Sequence, residues 1–314
     1  MPSIKSLDNI NTSLDLYGHD DVLINFIKLY ESGNFPKVSL VTGEKGIGKF
    51  TLVFHLIIYI FSKIYKQPYD LDKKSIDESN LILSKFNSKT FQNFVYFPNE
   101  DKNKLSIEKV REIKKDLNNS TLDNNPRFIV FDDVELLNNN VVNSLLKMIE
   151  EPSNNNYFIL VNNKRNKLVE TLKSRSIETK IFLNSDQKNS ILKKILDNHD
   201  IDDNFILNYS YLASPGMFIK YYYILRETGA ELDTPFYELT SKLLEKYKKE
   251  KEEIYIDCIK FFLEIKYNDN NLFKKINIIS LLKLKNDIFK ILHEYKRFNL
   301  TNNSVLNILK NSII

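Results

Sequence analysis

The chain has 314 residues, of which 42% are hydrophobic, and its 45 Lys and Arg against 41 Asp and Glu give a formal net charge of +4. These values are typical of a globular protein with two or three domains, and so small a charge surplus requires neither DNA nor an acidic partner. The single cysteine, Cys258, excludes a disulfide within the chain and a cysteine-based zinc site. The histidines show no metal-ligand spacing, so we expect no metal site.

The sequence carries no pattern typical of secretion or of a membrane span. Residues 1–5 lack a basic stretch followed by an apolar core, and the most apolar run is residues 52–64. That run is shorter than the roughly 20 residues that a membrane helix needs, and we interpret it as a buried helix. We therefore predict a cytoplasmic protein with no membrane contact.

Short apolar runs rich in β-branched or aromatic residues predict the strands of a sheet. Four are clear, at residues 38–41, 94–97, 128–131 and 157–161, and a weaker one covers residues 179–183. Between them, helical periodicity over residues 107–117 and 142–149 predicts amphipathic helices. Strands that alternate with helices are typical of a parallel sheet with helices on both faces, so we predict this α/β core.

The strand signals cease after about residue 184, and helical patterns continue from there. Ser185 is the candidate cap of the next helix, and breaks at residues 214–216 and 229–235 divide the rest of the chain. We therefore predict three domains: an α/β domain over residues 1–183, a small helical domain over residues 184–234, and a second helical domain over residues 235–314.

The sharpest chemical signal is a glycine-rich stretch after the first predicted strand. Gly43, Gly46, Gly48 and Lys49 stand between that strand and a helix. Glycines let successive backbone N–H groups point at phosphate oxygens, and the helix N-terminus adds the positive end of its dipole. The lysine of such a loop reaches the β- and γ-phosphates of a nucleotide. We predict a phosphate-binding loop (P-loop) here.

The residue after this lysine argues against hydrolysis at the loop. A Ser or Thr hydroxyl normally holds Mg²⁺ at that position, and here it is Phe50, whose ring cannot ligate a metal. Thr51 comes one place late, and because a helix turns by roughly 100° per residue its side chain points in another direction. The sequence therefore predicts a nucleotide site with an impaired magnesium site, and binding of ATP stays open.

A pair of acids follows the third clear strand. Asp132 stands where P-loop proteins place a Mg²⁺-holding aspartate at the end of a strand. Asp133 follows, where a glutamate usually polarises the attacking water. The aspartate is shorter by one methylene, and a misplacement of about 1 Å can cost roughly 100-fold in rate. The pair indicates the same nucleotide site with weak hydrolysis.

Longer runs of the sequence resemble a known family. They are residues 16–20 (LYGHD), 132–135 (DDVE), 143–152 (NSLLKMIEEP) and 172–176 (LKSRS). These runs resemble bacterial clamp-loader AAA+ proteins, in particular the delta-prime subunits of DNA polymerase III. The resemblance spans roughly residues 14–220. It implies an AAA+ P-loop core, followed by a helical lid domain and a C-terminal helical collar domain that joins the loader subunits.

The resemblance also assigns roles to single residues. Asn163 matches the first sensor position near the γ-phosphate, and Arg175 matches the arginine finger that reaches a nucleotide on a neighbouring subunit, although Ser176 replaces the usual cysteine. Met217 stands where the family has a second-sensor arginine. Residues 69–90 stand in place of the four-cysteine zinc insert of the family, so we expect no zinc.

Three functions stay open at this point. The first is a delta-prime-like stator that hydrolyses little or no ATP and presents Arg175 in trans to a motor subunit. The second is a gamma/tau-type motor subunit that hydrolyses ATP, and the third is an unrelated P-loop kinase. Phe50, Asp133 and Met217 count against a motor. The expected partners are gamma/tau- and delta-type subunits, with the sliding clamp and primer–template DNA contacted through the assembled loader.

Overall fold

The computed structural model describes residues 13–98, 108, 110, 112, 125–152, 155–198, 208–230, 234–268, 278–298 and 300–312. The chain forms two compact units, residues 1–200 and residues 201–314. The helix predicted after residue 184 belongs to the first unit, so this unit extends beyond the predicted domain boundary at residue 183. The division of the helical part into a lid and a collar stays a prediction.

The described part of the first unit contains seven strands. They are β1 (Val38–Thr42), β2 (Tyr69–Asp70), β3 (Ser75–Ile76), β4 (Phe94–Phe97), β5 (Arg127–Phe131), β6 (Asn156–Asn162) and β7 (Ile177–Lys180). Five form one parallel sheet in the order β4-β5-β6-β1-β7, and β2 and β3 form a short antiparallel hairpin. The four clear strand predictions are confirmed to within one residue at each end.

The fifth strand prediction, residues 179–183, is wrong by two to three residues, because β7 spans Ile177–Lys180. The register explains the shift. Lys180 pairs with Thr42, the last residue of β1, and a final hydrogen bond of 2.8 Å runs from the Ile181 N–H to the Thr42 carbonyl. The chain of β1 then enters the glycine-rich loop, so the apolar residues after Ile181 have no strand to pair with.

Helices cover both faces of this sheet. They are α1 (Asp20–Glu31), α2 (Lys49–Tyr65), α3 (Leu81–Asn87), α4 (Asn139–Ile149), α5 (Glu170–Lys173) and α6 (Ser185–Asn198), with a short 3-10 helix at Val134–Leu136. Alternate residues of each central strand enter opposite cores. In β5, for example, Phe128 and Val130 pack with α1 and α2, whereas Ile129 and Phe131 pack with α4. Burial on both faces explains why these strands read as continuous apolar runs.

Two of the helix predictions need comment. Asn184, not Ser185, caps α6: the Asn184 Oδ1 accepts from the Gln187 N–H at 2.8 Å, and the Gln187 Oε1 accepts from the Asn184 N–H at 2.9 Å. This reciprocal pair is a capping box, and it places Ser185 as the first helical residue. The helix predicted over residues 107–117 lies outside the described residues, apart from residues 108, 110 and 112.

Hydrogen bonds tie the segment between α2 and β4 to the rest of the unit. His55 of α2 is fully buried, with Nδ1 3.0 Å from the Tyr69 hydroxyl and Nε2 3.0 Å from the Ser13 carbonyl. Burial lowers the pKa of His55 to about 4, so the ring is neutral at pH 7. The buried Asn80 donates to Ser62 Oγ and to the Pro68 carbonyl, at 2.9 and 2.8 Å. These contacts hold the β2–β3 hairpin and α3 against α2.

The second unit is helical in the residues described. After a 3-10 turn at Ser210–Leu212 it contains α7 (Pro215–Thr228), α8 (Phe236–Glu250), α9 (Ile254–Asn268), α10 (Ile278–Phe298) and α11 (Asn302–Ser312). Met217 is buried in α7 and Cys258 is buried in α9. No helix in the described part of the chain is long and apolar enough to cross a membrane.

Candidate functional site

The glycine-rich loop, residues 43–48, connects β1 to α2 in the strand–loop–helix order that the sequence predicts. Gly46 and Gly48 have φ angles of 81° and 88°, a left-handed conformation that strains any residue with a side chain. At Gly43 there is no room for a side chain, because an added Cβ would lie 2.5 Å from the Ile181 carbonyl oxygen. The backbone of the loop therefore depends on glycine at these positions.

Two contacts from outside the loop hold it in place. The Nε2 of His19 lies 2.6 Å from the Ile47 carbonyl oxygen, and burial lowers the pKa of His19, so the neutral ring donates its N–H to this carbonyl. On the other side, Lys188 of α6 forms a 2.7 Å ion pair with Glu44 of the loop. Sequence reasoning did not find either contact, since neither belongs to a motif that predicts it.

Lys49 is buried, with 3% of its surface exposed, and it turns back onto its own loop. Its Nζ donates to the Gly43 and Glu44 carbonyls at 2.9 and 2.5 Å. Burial lowers the pKa of Lys49 to about 8, while the nearby carboxylates of Asp132 and Glu135 act in the opposite direction. The side chain that the sequence assigns to nucleotide phosphates is therefore a charged group bound to loop carbonyls.

Phe50 belongs to the hydrophobic core and not to a polar site. It is 6% exposed, and its ring centroid lies 4.2 Å from that of Tyr96 on β4. The Tyr96 hydroxyl in turn donates to Asp132 Oδ2 at 3.3 Å. Thr51, the next hydroxyl along α2, is half-buried. An aromatic pair thus lies between the start of α2 and the first acid.

The structure brings the predicted acids and Asn163 together. Asn163 follows β6, and its Nδ2 donates to Asp132 Oδ1 at 3.0 Å and to Asp133 Oδ1 at 2.6 Å. The Asp133 N–H donates to Asp132 Oδ1 at 2.9 Å, in a backbone turn with φ of 48° that aspartate tolerates. Burial, with the charge of Asp133, raises the pKa of Asp132. Adjacent parallel strands explain the meeting, because β5 and β6 end at the same edge of the sheet.

Two charged residues to which the sequence analysis assigned no role, Glu135 and Arg165, complete this cluster. Glu135 is 7% exposed and accepts hydrogen bonds of 3.1 and 3.2 Å from the backbone N–H groups of Asn163 and Arg165. Burial raises the pKa of Glu135, and the charge of Asp133 adds to this. Arg165 Nη1 lies 3.6 Å from Asp133 Oδ2. The turn after β6 is therefore fixed onto the acids by side chains of this chain.

The side chains around the loop do not fit Mg²⁺. Magnesium requires oxygen ligands in octahedral geometry, and the position after Lys49 offers a buried phenyl ring instead. Both oxygens of Asp132 already accept hydrogen bonds, from Asn163 and Tyr96. Within the described residues, no group of three or more His, Cys, Asp or Glu side chains is arranged to hold a metal ion. We therefore derive no magnesium-dependent step at this loop.

Arg175 lies apart from this cluster, in the turn after α5. Its Nε donates to Glu150 Oε1 at 2.9 Å, and the two side chains are 40% and 47% exposed. Its Nη1 makes longer contacts with the Thr171 carbonyl and the Ser174 hydroxyl, at 3.4 and 3.5 Å. The candidate residues thus divide into a buried P-loop cluster and one surface arginine.

Residues 18–185 match a family model described as DNA polymerase III, delta subunit, and this match covers more than half of the chain. The chain belongs to this family. All the candidate residues from Gly43 to Arg175 lie within the match, whereas α7 to α11 lie outside it.

Curated relatives of this family member carry the name DNA polymerase III subunit delta'. One, from Buchnera aphidicola subsp. Acyrthosiphon pisum (strain APS), is 27% identical over 166 residues, covering 52% of this chain and 48% of the relative. Another, from Buchnera aphidicola subsp. Baizongia pistaciae (strain Bp), is 33% identical over 99 residues, covering 32% and 25%. The matches span about half or less of the relatives. The predicted resemblance to delta-prime clamp-loader subunits is confirmed.

Solved structures give a more distant likeness. A DNA polymerase III gamma subunit-related protein of Thermotoga maritima is 14% identical, with 92% of this chain and 98% of that chain covered and a TM-score of 0.45. The predicted fold class, a parallel α/β P-loop core followed by helices, is confirmed in this delta-subunit family member.

Proposed function

We propose that this chain is a delta-prime-type subunit of a clamp loader that does not hydrolyse ATP at its own P-loop. In this proposal it supplies Arg175 to a nucleotide held by a neighbouring motor subunit. Its partners are gamma/tau- and delta-type subunits, and through the assembled loader it contributes to placing a sliding clamp on primer–template DNA. A cytoplasmic location follows from this role.

The observation that carries the first part is the packing of Phe50. A hydroxyl at this position would ligate Mg²⁺ beside the γ-phosphate, but the ring is buried against Tyr96. A metal could not reach that position without displacing the two rings from the core. Tyr96 and Asn163 also occupy the oxygens of Asp132, the other expected ligand.

Arg175 supports the second part of the proposal because it has the properties that action in trans requires. A guanidinium stabilises negative charge that develops on a transferring phosphoryl group. The side chain is 40% exposed, and its ion pair with Glu150 lies at the surface, so a partner can reach it without unfolding the chain. A subunit can present Arg175 to its neighbour while its own P-loop hydrolyses no ATP, so the two parts of the proposal are compatible.

The alternatives differ in what they require of the P-loop. A gamma/tau-type motor is favoured only by the retained glycines and Lys49, and it needs the magnesium ligand that Phe50 replaces. A small-molecule kinase needs the same ligand, and membership of the delta-subunit family counts further against it.

The test is Arg175→Ala in a loader reconstituted with the gamma/tau- and delta-type subunits of the same organism. An arginine finger is worth about 10³-fold or more in turnover at its own site, so we expect DNA-stimulated ATP hydrolysis by the loader to fall several-fold while assembly is retained. Lys173→Ala is the matched control, because Lys173 is a nearby exposed cation whose ion pair is with Glu178. Unchanged turnover with Arg175→Ala would remove the trans role.

A further inference from the structure

The ion pair between Arg175 and Glu150 joins two separate elements of the first unit. Glu150 is the C-cap residue directly after α4, and its backbone N–H donates to the Leu146 carbonyl at 3.0 Å, so its backbone is held by the helix. Arg175 lies in the turn after α5, where the Ser176 hydroxyl donates to the Leu172 carbonyl at 2.9 Å. The ion pair therefore connects the backbone at the end of α4 to the turn after α5.

The geometry of the contact leaves one edge of the guanidinium available. Arginine carries five N–H donors in a planar fork, and the edge formed by its two Nη atoms suits the oxygens of a phosphate. Glu150 takes the Nε–H, at 2.9 Å, and so leaves that edge to other acceptors. Nη1 donates two long hydrogen bonds, to the Thr171 carbonyl at 3.4 Å and to the Ser174 hydroxyl at 3.5 Å, and Nη2 donates no hydrogen bond among the described residues.

We propose that Glu150 is a positioning residue for Arg175, holding the guanidinium by Nε so that its Nη edge faces the phosphates of a nucleotide on the neighbouring subunit. This inference rests on the proposed trans role of Arg175. Glu150 itself touches no nucleotide; it acts through the arginine.

The strength of the pair suits such a role. Exposed ion pairs are weak, so the contact does not trap the arginine in an unreactive state. Ordering a long side chain before a partner binds removes an entropy cost that would otherwise be met at the interface. For one such side chain, this cost corresponds to roughly 2- to 10-fold in the equilibrium or rate that depends on it.

The experiment compares Glu150→Ala with Glu151→Ala in the reconstituted loader. Glu151 is the neighbouring residue and is also an exposed carboxylate, so its loss removes the same charge from the same part of the chain, just after α4. We expect Glu150→Ala to lower kcat for ATP by roughly 2- to 10-fold with KM unchanged, and Glu151→Ala to have no effect. Glu150→Gln keeps an oxygen that accepts from Nε, so we expect it to restore part of the loss.

A double variant separates positioning from a general structural effect. If Glu150 acts through Arg175, Glu150→Ala has no further effect in the Arg175→Ala background. An equal loss in that background, or a rise in kcat with Glu150→Ala alone, overturns the inference. Should Glu150→Ala reduce assembly of the loader, kcat is measured at a temperature and subunit concentration where assembly is complete, and a Glu150→Ala kcat equal to wild type under those conditions counts against positioning.

The outcomes for the two proposals differ. If Arg175→Ala leaves turnover unchanged, the proposed function fails whatever Glu150 does. If Arg175→Ala lowers turnover and both Glu150 variants match wild type, the trans role stands and the positioning role is wrong.

Discussion

Lys49 and Arg175 are the two basic residues that the sequence assigns to nucleotide phosphates, and the structure surrounds them differently. Lys49 is 3% exposed and bound to carbonyls of its own loop, whereas the Arg175 side chain is 40% exposed and paired at the surface. The buried cluster is satisfied by groups of this chain. The exposed arginine donates to Glu150 through Nε and makes only long hydrogen bonds through Nη1. We infer that the buried region serves the fold while the exposed arginine serves a partner.

The largest effect on stability is expected at Phe50, which we assign to the hydrophobic core. Phe50→Ala removes a ring that is 6% exposed and packed on Tyr96, so we expect it to lower the free energy of unfolding by about 3 kcal/mol. Urea denaturation followed by circular dichroism measures this. Phe182→Ala is the control, because Phe182 is 80% exposed and its loss should change stability by less than about 0.5 kcal/mol.

A Phe50→Ala protein as stable as wild type would contradict the structural role of the ring. In that case the ring would contribute little to the core, and a ligand could occupy its position. The closed state of the magnesium position would then need another explanation.

A smaller effect is expected from a comparison of two arginines. Arg165 lies beside Asp133, with side chains 17% and 14% exposed, whereas Arg175 and Glu150 are 40% and 47% exposed. Arg165→Ala leaves a largely buried carboxylate without its cation, so we expect a loss of about 2 kcal/mol in the free energy of unfolding. Arg175→Ala should cost less than about 0.5 kcal/mol in the same urea experiment. Equal losses would mean that Arg175 is as structural as Arg165.

The strands could be predicted from the sequence because burial on both faces leaves an unbroken apolar signal. The same signal misplaced β7, since Ile181 is buried beyond the strand end that the register with Thr42 sets. The cap of α6 was misassigned by one residue because Asn184 and Ser185 are both good capping residues. Only the bonds with Gln187 distinguish them.

The sequence indicated those candidate site residues that lie in motifs. It did not indicate the residues whose roles depend on tertiary contacts. The glycine loop, the two acids and Asn163 each follow a strand, so their meeting at one edge of the sheet could be anticipated. Tyr96 and Arg165 belong to no motif that the sequence reasoning used, and His19 lies in the run LYGHD, to which no contact with the loop was assigned. Their roles arise only when separate elements pack, as when Tyr96 of β4 places its hydroxyl on Asp132.

Whether the P-loop is silent is tested most directly by ATP hydrolysis of the purified chain without other loader subunits. Wild type and Lys49→Ala are assayed side by side, with Mg²⁺ and with EDTA. We predict turnover at the background level in all four conditions, because Phe50 leaves the loop without its magnesium ligand. Magnesium-dependent hydrolysis that disappears with Lys49→Ala would contradict the proposed function and identify the chain as a motor.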